Sequence, residues 1–179
     1  MELGLHGKTA LITGGSKGIG LAAAIRLILE GANVAICARS MDGLKEADAI
    51  IRDQTGRSAL LIQADVSTRE GCERAVAEVV QAYGGLDILI NNAGTSAARP
   101  FEQIEPEEWA ADLDLKLYAA IYCSRAAIPH MKRAGGGAIV NVTASRAKTP
   151  GASSMPSSVS RAAGMALTKA MSKDLGGYG

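Results

Sequence analysis

Residues 13–20 read TGGSKGIG, and what flanks this stretch decides the fold. Before it, 8–13 (KTALIT) is a short apolar run with β character; after it, 19–30 continue with apolar residues at helical spacing. A strand that ends in a glycine-rich turn and passes straight into a helix opens a βαβ unit, since parallel strands need a long crossover. Gly14 suits the tight turn, Gly18 leaves backbone open to close approach, and Gly20 lets the helix pack against the strand.

The alternation continues downstream. Residues 33–38 have a buried-strand pattern, 41–54 a helical one and 58–63 a third strand. A further helix is expected at 69–83, with Val76, Val79 and Val80 on one side, then a strand at 86–90. A long helix follows at 106–131, with Glu107 and Glu108 in its first turn, and another strand at 138–142. The Pro-, Gly- and Ser-rich segment 148–158 reads as a loop, and 159–175 as a last amphipathic helix before GGYG. Strict alternation implies an α/β fold: a doubly wound parallel sheet of Rossmann type, occupying 1–179 as a single domain. No repeat or low-complexity tract interrupts it.

Composition narrows the function classes. A chain of 179 residues with 47% hydrophobic and 21% charged residues has the make-up of one α/β domain. The formal charge of +1 supplies no field for nucleic acid or an anionic membrane, and Phe101, Trp109 and four tyrosines form no stacking platform. A small-molecule partner is expected instead. Cys37, Cys72 and Cys123 are odd in number and widely spaced, which argues against disulfides and zinc and for a reducing compartment. Residues 1–7 carry an acid and no apolar run, and no stretch is long enough for a membrane span, so a cytoplasmic location is expected and no metal site.

In this context the glycine turn reads as a dinucleotide site. The start of the helix offers unpaired amides and a positive dipole end to a pyrophosphate, with Gly14, Ser16, Lys17, Gly18, Ile19 and Gly20 forming the cradle. About 24 residues beyond Gly14, where a carboxylate would accept from the adenosine ribose, the second strand ends in Ala38 and Arg39. An arginine there pairs bidentately with a 2′-phosphate, and Lys17 adds a second cation, so NADP(H) is expected ahead of NAD(H). The plainer alternative is that both are solvated surface cations.

TGGSKGIG, the ADV at 64–66 and the NNAG at 91–94 resemble, in order and spacing, the three markers of the short-chain dehydrogenase/reductase family. The resemblance runs from Gly7 to the last residue. It implies hydride transfer between a nicotinamide cofactor and a carbonyl or alcohol. It further implies that Asp65 and Val66 flank the adenine, and that Asn91, Asn92, Ala93 and Gly94 support the sheet and line the cofactor cleft. Family dimers and tetramers built on the helices holding Lys116 and Arg161 make a homo-oligomer the expectation. In the family a sixth strand, a substrate-covering segment and a seventh strand follow an end like LGGYG. Those C-terminal strands are absent here, which would leave 138–142 as a sheet edge. The chain is accordingly read as part of a longer one, or else as a truncated protein that leans on a partner.

The family's chemistry uses a Tyr as acid/base, a Lys that lowers its pKa, a Ser on the substrate oxygen and an Asn that holds a relay water. SSVSRAAGMALTKAM at 157–171 resembles the YxxxK helix, with Ser157 at the Tyr position and Arg161 at the Lys position. In LDLKL at 113–117, Lys116 stands at the Asn position. Thirteen residues before Ser157, Ala144 stands at the Ser position, flanked by Thr143 and Ser145. An aliphatic hydroxyl is much harder to ionise than a phenol of pKa about 10, and Ser157 is also shorter. Arg161 can still hydrogen-bond the nicotinamide ribose, through a planar fork instead of an ammonium. Lys116 is either a substitute acid, or it fills the relay site or pairs with a carboxylate. Two readings remain: an oxidoreductase in which Lys116, Ser145 or Ser157 handles the substrate oxygen, or a catalytically silent NADP(H)-binding or scaffold subunit. His6 and His130 are expected at the surface.

Overall fold

A computed structural model of the chain describes residues 3–179; the reading of 1–7 falls partly on Met1 and Glu2, outside the described residues. Its centre is a parallel sheet of β1 (Thr9–Thr13), β2 (Asn33–Ala38), β3 (Leu60–Gln63), β4 (Ile88–Asn91) and, after a short β5 (Ala98–Arg99), β6 (Ala138–Asn141). The strand order is β3-β2-β1-β4-β6 and every neighbour is parallel. Successive strand side chains point to opposite faces, so each apolar run feeds two cores. Ala10, Ile12, Val34 and Ile36 pack with α1 (Gly18–Leu29) and α2 (Met41–Thr55). Leu11, Ala35 and Cys37 pack on the other face with α3 (Arg69–Tyr83) and the helix containing Cys123 and Ala127. That is the doubly wound arrangement expected from the sequence.

Turn chemistry places the helices. Ser40 and Thr68 cap α2 and α3 by accepting from Gly43 N and Gly71 N, and Gly56 and Gly84 end them in left-handed conformation. The expected helix over 106–131 is instead three pieces: α4 (Pro106–Leu113), a π-helical segment (Asp114–Tyr118) and α5 (Ala119–Arg133). Glu105 and Glu108 form the capping box of α4.

The loop over 148–158 also differs from expectation. It contains β7 (Met155–Pro156), antiparallel to β5, and the last helix, α6 (Ser157–Leu175), starts two residues early. The cause is a pair of bonds to one residue: Ser157 N donates to the Ala97 carbonyl at 3.3 Å, and Ala97 N donates to Ser157 Oγ at 3.0 Å. β6 lies at one edge of the sheet, with Val140 exposed. Among the described residues no helix is long and apolar enough to cross a membrane, and no group of His, Cys, Asp and Glu is arranged for a metal.

Candidate functional site

At the carboxyl ends of the strands a cleft of about 900 Å³ runs from the glycine turn to the start of α6. Gly14 and Gly18 both have positive φ, 65° and 55°. A Cβ at Gly14 would lie 2.9 Å from Ala93 Cα, whereas nothing stands within 4 Å of one at Gly18. Gly18 is therefore open backbone, and Gly14 is the point where the turn meets NNAG. Thr13 Oγ1 accepts from Asn92 N and Ala93 N at 3.0 and 3.1 Å, and Asn92 Nδ2 donates to the carbonyls of Thr13 and Gly14, both at 3.0 Å. The two motifs are thus one hydrogen-bonded unit. Asn91 lies beneath the cleft, donating to Asn141 Oδ1 at 2.9 Å and to Ser124 Oγ at 3.3 Å.

The first turn of α1 has no side-chain cap at Lys17, so its amides remain available to an anion. Ser16, Lys17, Gly18, Ile19, Arg39, Asp65 and Val66 line this end of the cleft, while Gly20 is buried behind it. Burial works against ionising Asp65, but the N–H and hydroxyl of Ser67 and the charge of Arg39 outweigh it and hold the carboxyl below its ordinary value. Open glycine backbone, uncapped amides and two cations fit a ligand carrying several phosphates.

At the other end the expected residues divide. Ser157 and Arg161 line the cleft with Asn92, Ala93 and Gly94, but Lys116 and Ser145 do not. Ser145 is exposed in a 3₁₀ turn, and Thr143, Ala144 and Arg146 form the wall beside it. Lys116 sits in the π-helical segment with its side chain wholly buried, in direct contact with Asp112 and 2.6 Å from Ser157 Oγ. Asp112 Oδ2 accepts from Ser160 Oγ at 2.6 Å. Ser157 Oγ therefore accepts from the Lys116 ammonium and the Ala97 amide, and its own hydrogen has only Asp112 Oδ1, at 3.5 Å, as an acceptor among the described residues.

Arg161 is half-buried and donates through Nη1 to the Val142 carbonyl at 2.6 Å. A Cβ at Gly94 would overlap its guanidinium, so Gly94 makes room for the arginine. Burial holds the Arg161 pKa below its ordinary value, with Asp112 opposing. Sequence reasoning missed Asp112, Ser160 and Ala97. Asp112 was marked only by its i,i+4 spacing to Lys116; nothing in the sequence pointed to Ala97, whose role comes from chain folding.

A twisted parallel sheet with an anion-ready glycine turn and a cleft at the carboxyl ends of its strands is a Rossmann-type nucleotide-binding fold. This chain belongs to the short chain dehydrogenase family, whose model matches residues 8–179. Dehydrogenase/reductase SDR family member 4 of Homo sapiens is 34% identical over 175 residues, 96% of this chain and 62% of that protein. L-Sorbose reductase from Gluconobacter frateurii, solved with NADPH and L-sorbose, is 35% identical with a TM-score of 0.95, over 99% of this chain and 68% of that one. An NAD⁺-bound xylitol dehydrogenase is 30% identical with a TM-score of 0.91, over 97% of this chain and 67% of that one. The chain spans about half to two thirds of the length of the curated relatives it matches.

Proposed function

We propose that this chain is an NADP(H)-dependent oxidoreductase acting on a small carbonyl or alcohol, with Ser157 taking the place of a phenol at the substrate oxygen. The observation that carries the reading is one continuous cleft, lined at one end by Lys17 and Arg39 and at the other by Ser157 and Arg161. The sorbose reductase holds NADPH and the xylitol dehydrogenase NAD⁺, so the comparisons support a nicotinamide dinucleotide of either kind. The preference for NADP(H) rests on Arg39 and Lys17, which suit a 2′-phosphate. The turn from Gly14 to Ile19 would hold the pyrophosphate, Asp65 and Val66 the adenine, Asn92, Ala93 and Gly94 the cleft floor, and Arg161 the nicotinamide ribose. All of 1–179 is read as a single domain binding this cofactor, and the three free cysteines fit a reducing compartment.

Bound there, the nicotinamide ring supplies or accepts the hydride. The chain's own residues must hold the substrate oxygen and move a proton at it. Ser157 Oγ receives hydrogen bonds from an ammonium and an amide, which polarise its O–H and make it a better donor, with Asp112 Oδ1 at 3.5 Å as its acceptor until a substrate oxygen competes. Without a phenol this proton step is slow. A second reading, a silent NADP(H)-binding subunit, is favoured by the closure of Lys116 on Asp112 behind the cleft wall, where its buried side chain does not line the cleft.

The test is to titrate the purified protein with NADPH and with NADH, following cofactor fluorescence, and then to add a panel of ketones and aldehydes. Tighter binding of NADPH and slow carbonyl-dependent oxidation, lost in Ser157→Ala, are expected. Binding without turnover selects the silent reading, and no binding overturns both.

A further inference from the structure

The charges that line the cleft are unequal: Lys17, Arg39, Arg146 and Arg161 against the single carboxylate Asp65. With an NADP(H) cofactor in the cleft, Lys17 and Arg39 face a 2′-phosphate and Arg161 a ribose. Arg146 is left over. It stands in the 3₁₀ turn Ser145–Ala147, two residues past Ala144, on the wall that faces the substrate end. Its side chain has no hydrogen bond or ion pair to another described residue, and no acid lines that end. Asp112, the acid behind Ser157, is already engaged by Lys116 and Ser160. The other lining groups here are mostly small and hydroxylated, Thr95, Ser96, Ser154, Ser157 and Ser158 among them, with Leu115 and Val142 as the larger apolar side chains.

We propose that the substrate end takes a small carbonyl compound bearing an oxyanion, a carboxylate or phosphate, and that Arg146 is the residue that reads it. The proposal rests on the oxidoreductase reading. A guanidinium fork matches either anion with two parallel hydrogen bonds. The excess of cations along the cleft raises the local concentration of anions. Because Arg146 is exposed, its effect is screened by salt and is modest in size.

The experiment uses matched probes added to the protein saturated with NADPH: pyruvate against methyl pyruvate, and dihydroxyacetone phosphate against dihydroxyacetone. Equilibrium binding is read from the change in cofactor fluorescence, without reference to turnover. The anionic member of at least one pair is expected to bind roughly tenfold more tightly at low salt, with the advantage shrinking at high salt. Which pair responds tells carboxylate from phosphate. Arg146→Gln should abolish the preference and Arg146→Lys should retain part of it, with melting temperatures close to wild type for both, as for other exposed substitutions. Equal binding of both members of each pair, binding by neither, or a preference that survives Arg146→Gln overturns the proposal. Failure of NADPH itself to bind sinks the cofactor reading instead, and calorimetric titration of the same pairs into the cofactor-free protein then decides the role of Arg146.

Discussion

Gly14, Gly18 and Gly20 of the turn do different jobs, and substitutions at the last two separate them. A methyl at Gly20 would lie 2.5 Å from the Gly14 carbonyl oxygen and 2.6 Å from Asn92 Nδ2, inside a hydrogen-bonded unit that cannot yield. Gly20→Ala should therefore destabilise the protein by about 1–3 kcal/mol in a denaturant titration, as overpacking does. Gly18→Ala meets no atom within 4 Å and should cost only about 1 kcal/mol in left-handed strain. It does cover open backbone at the cleft, so NADPH affinity should fall roughly tenfold while the fold survives. Asp65 gives a pH test. Its carboxyl is held below the ordinary value, so it contributes stability above the unfolded pKa of about 3.9 and loses it as pH falls through the folded value. Melting temperature should accordingly fall less steeply with acid in Asp65→Asn than in wild type. At this scale the glycines were legible because their spacing follows from turn geometry. Lys116 was visible as a residue, but its burial was not, since that depends on a carboxylate supplied by the same helix and on hydroxyls from α6.

The elements around Lys116 show why the glycine-turn end of the cleft could be read more completely than the Ser157 end. A π-helical segment at Asp114–Tyr118 inserts into what the apolar pattern presents as one helix, because a single wide turn barely disturbs amphipathic spacing. Two-residue strands such as β5 and β7 carry no periodicity at all. Yet these irregular pieces bring Asp112, Lys116, Ser157 and Ser160 together. Removing one member of a buried ion pair leaves the other uncompensated, whereas removing both can be nearly neutral. Lys116→Met alone should destabilise by about 3–5 kcal/mol, and the pair Lys116→Met with Asp112→Leu should recover most of that loss. A single Lys116→Met variant that melts like wild type would show that the pair does not hold the π-helical segment to α6.

At the scale of the whole molecule, topology places the cleft before any side chain is considered. β1 sits between β2 and β4, and the helices α1 and α5, which follow β1 and β4, lie on opposite faces of the sheet, which leaves a cleft at the carboxyl ends, where such folds take ligands. The doubly wound parallel class followed from local alternation, which is why the fold was readable from sequence, whereas the order β3-β2-β1-β4-β6 comes from the structure. Neighbouring loops also make binding and folding one equilibrium. A ligand that binds only the folded chain stabilises it by about 2.7 kcal/mol at a hundred times its Kd. For a chain of this length each kcal/mol raises the melting temperature by roughly 2–4 °C, so saturating NADPH should give a shift of about 5–10 °C. If Arg39 and Lys17 recognise a 2′-phosphate, NADH at the same concentration should give a smaller shift, by about 3–5 °C for tenfold weaker binding. Arg39→Ala should then bring the NADPH shift down to that of NADH and leave the NADH shift unchanged. Equal shifts for both cofactors in wild type would assign Arg39 to solvent and remove the basis for NADP(H) preference. No shift with either would mean that the glycine turn, although shaped for phosphates, does not bind a dinucleotide in this chain.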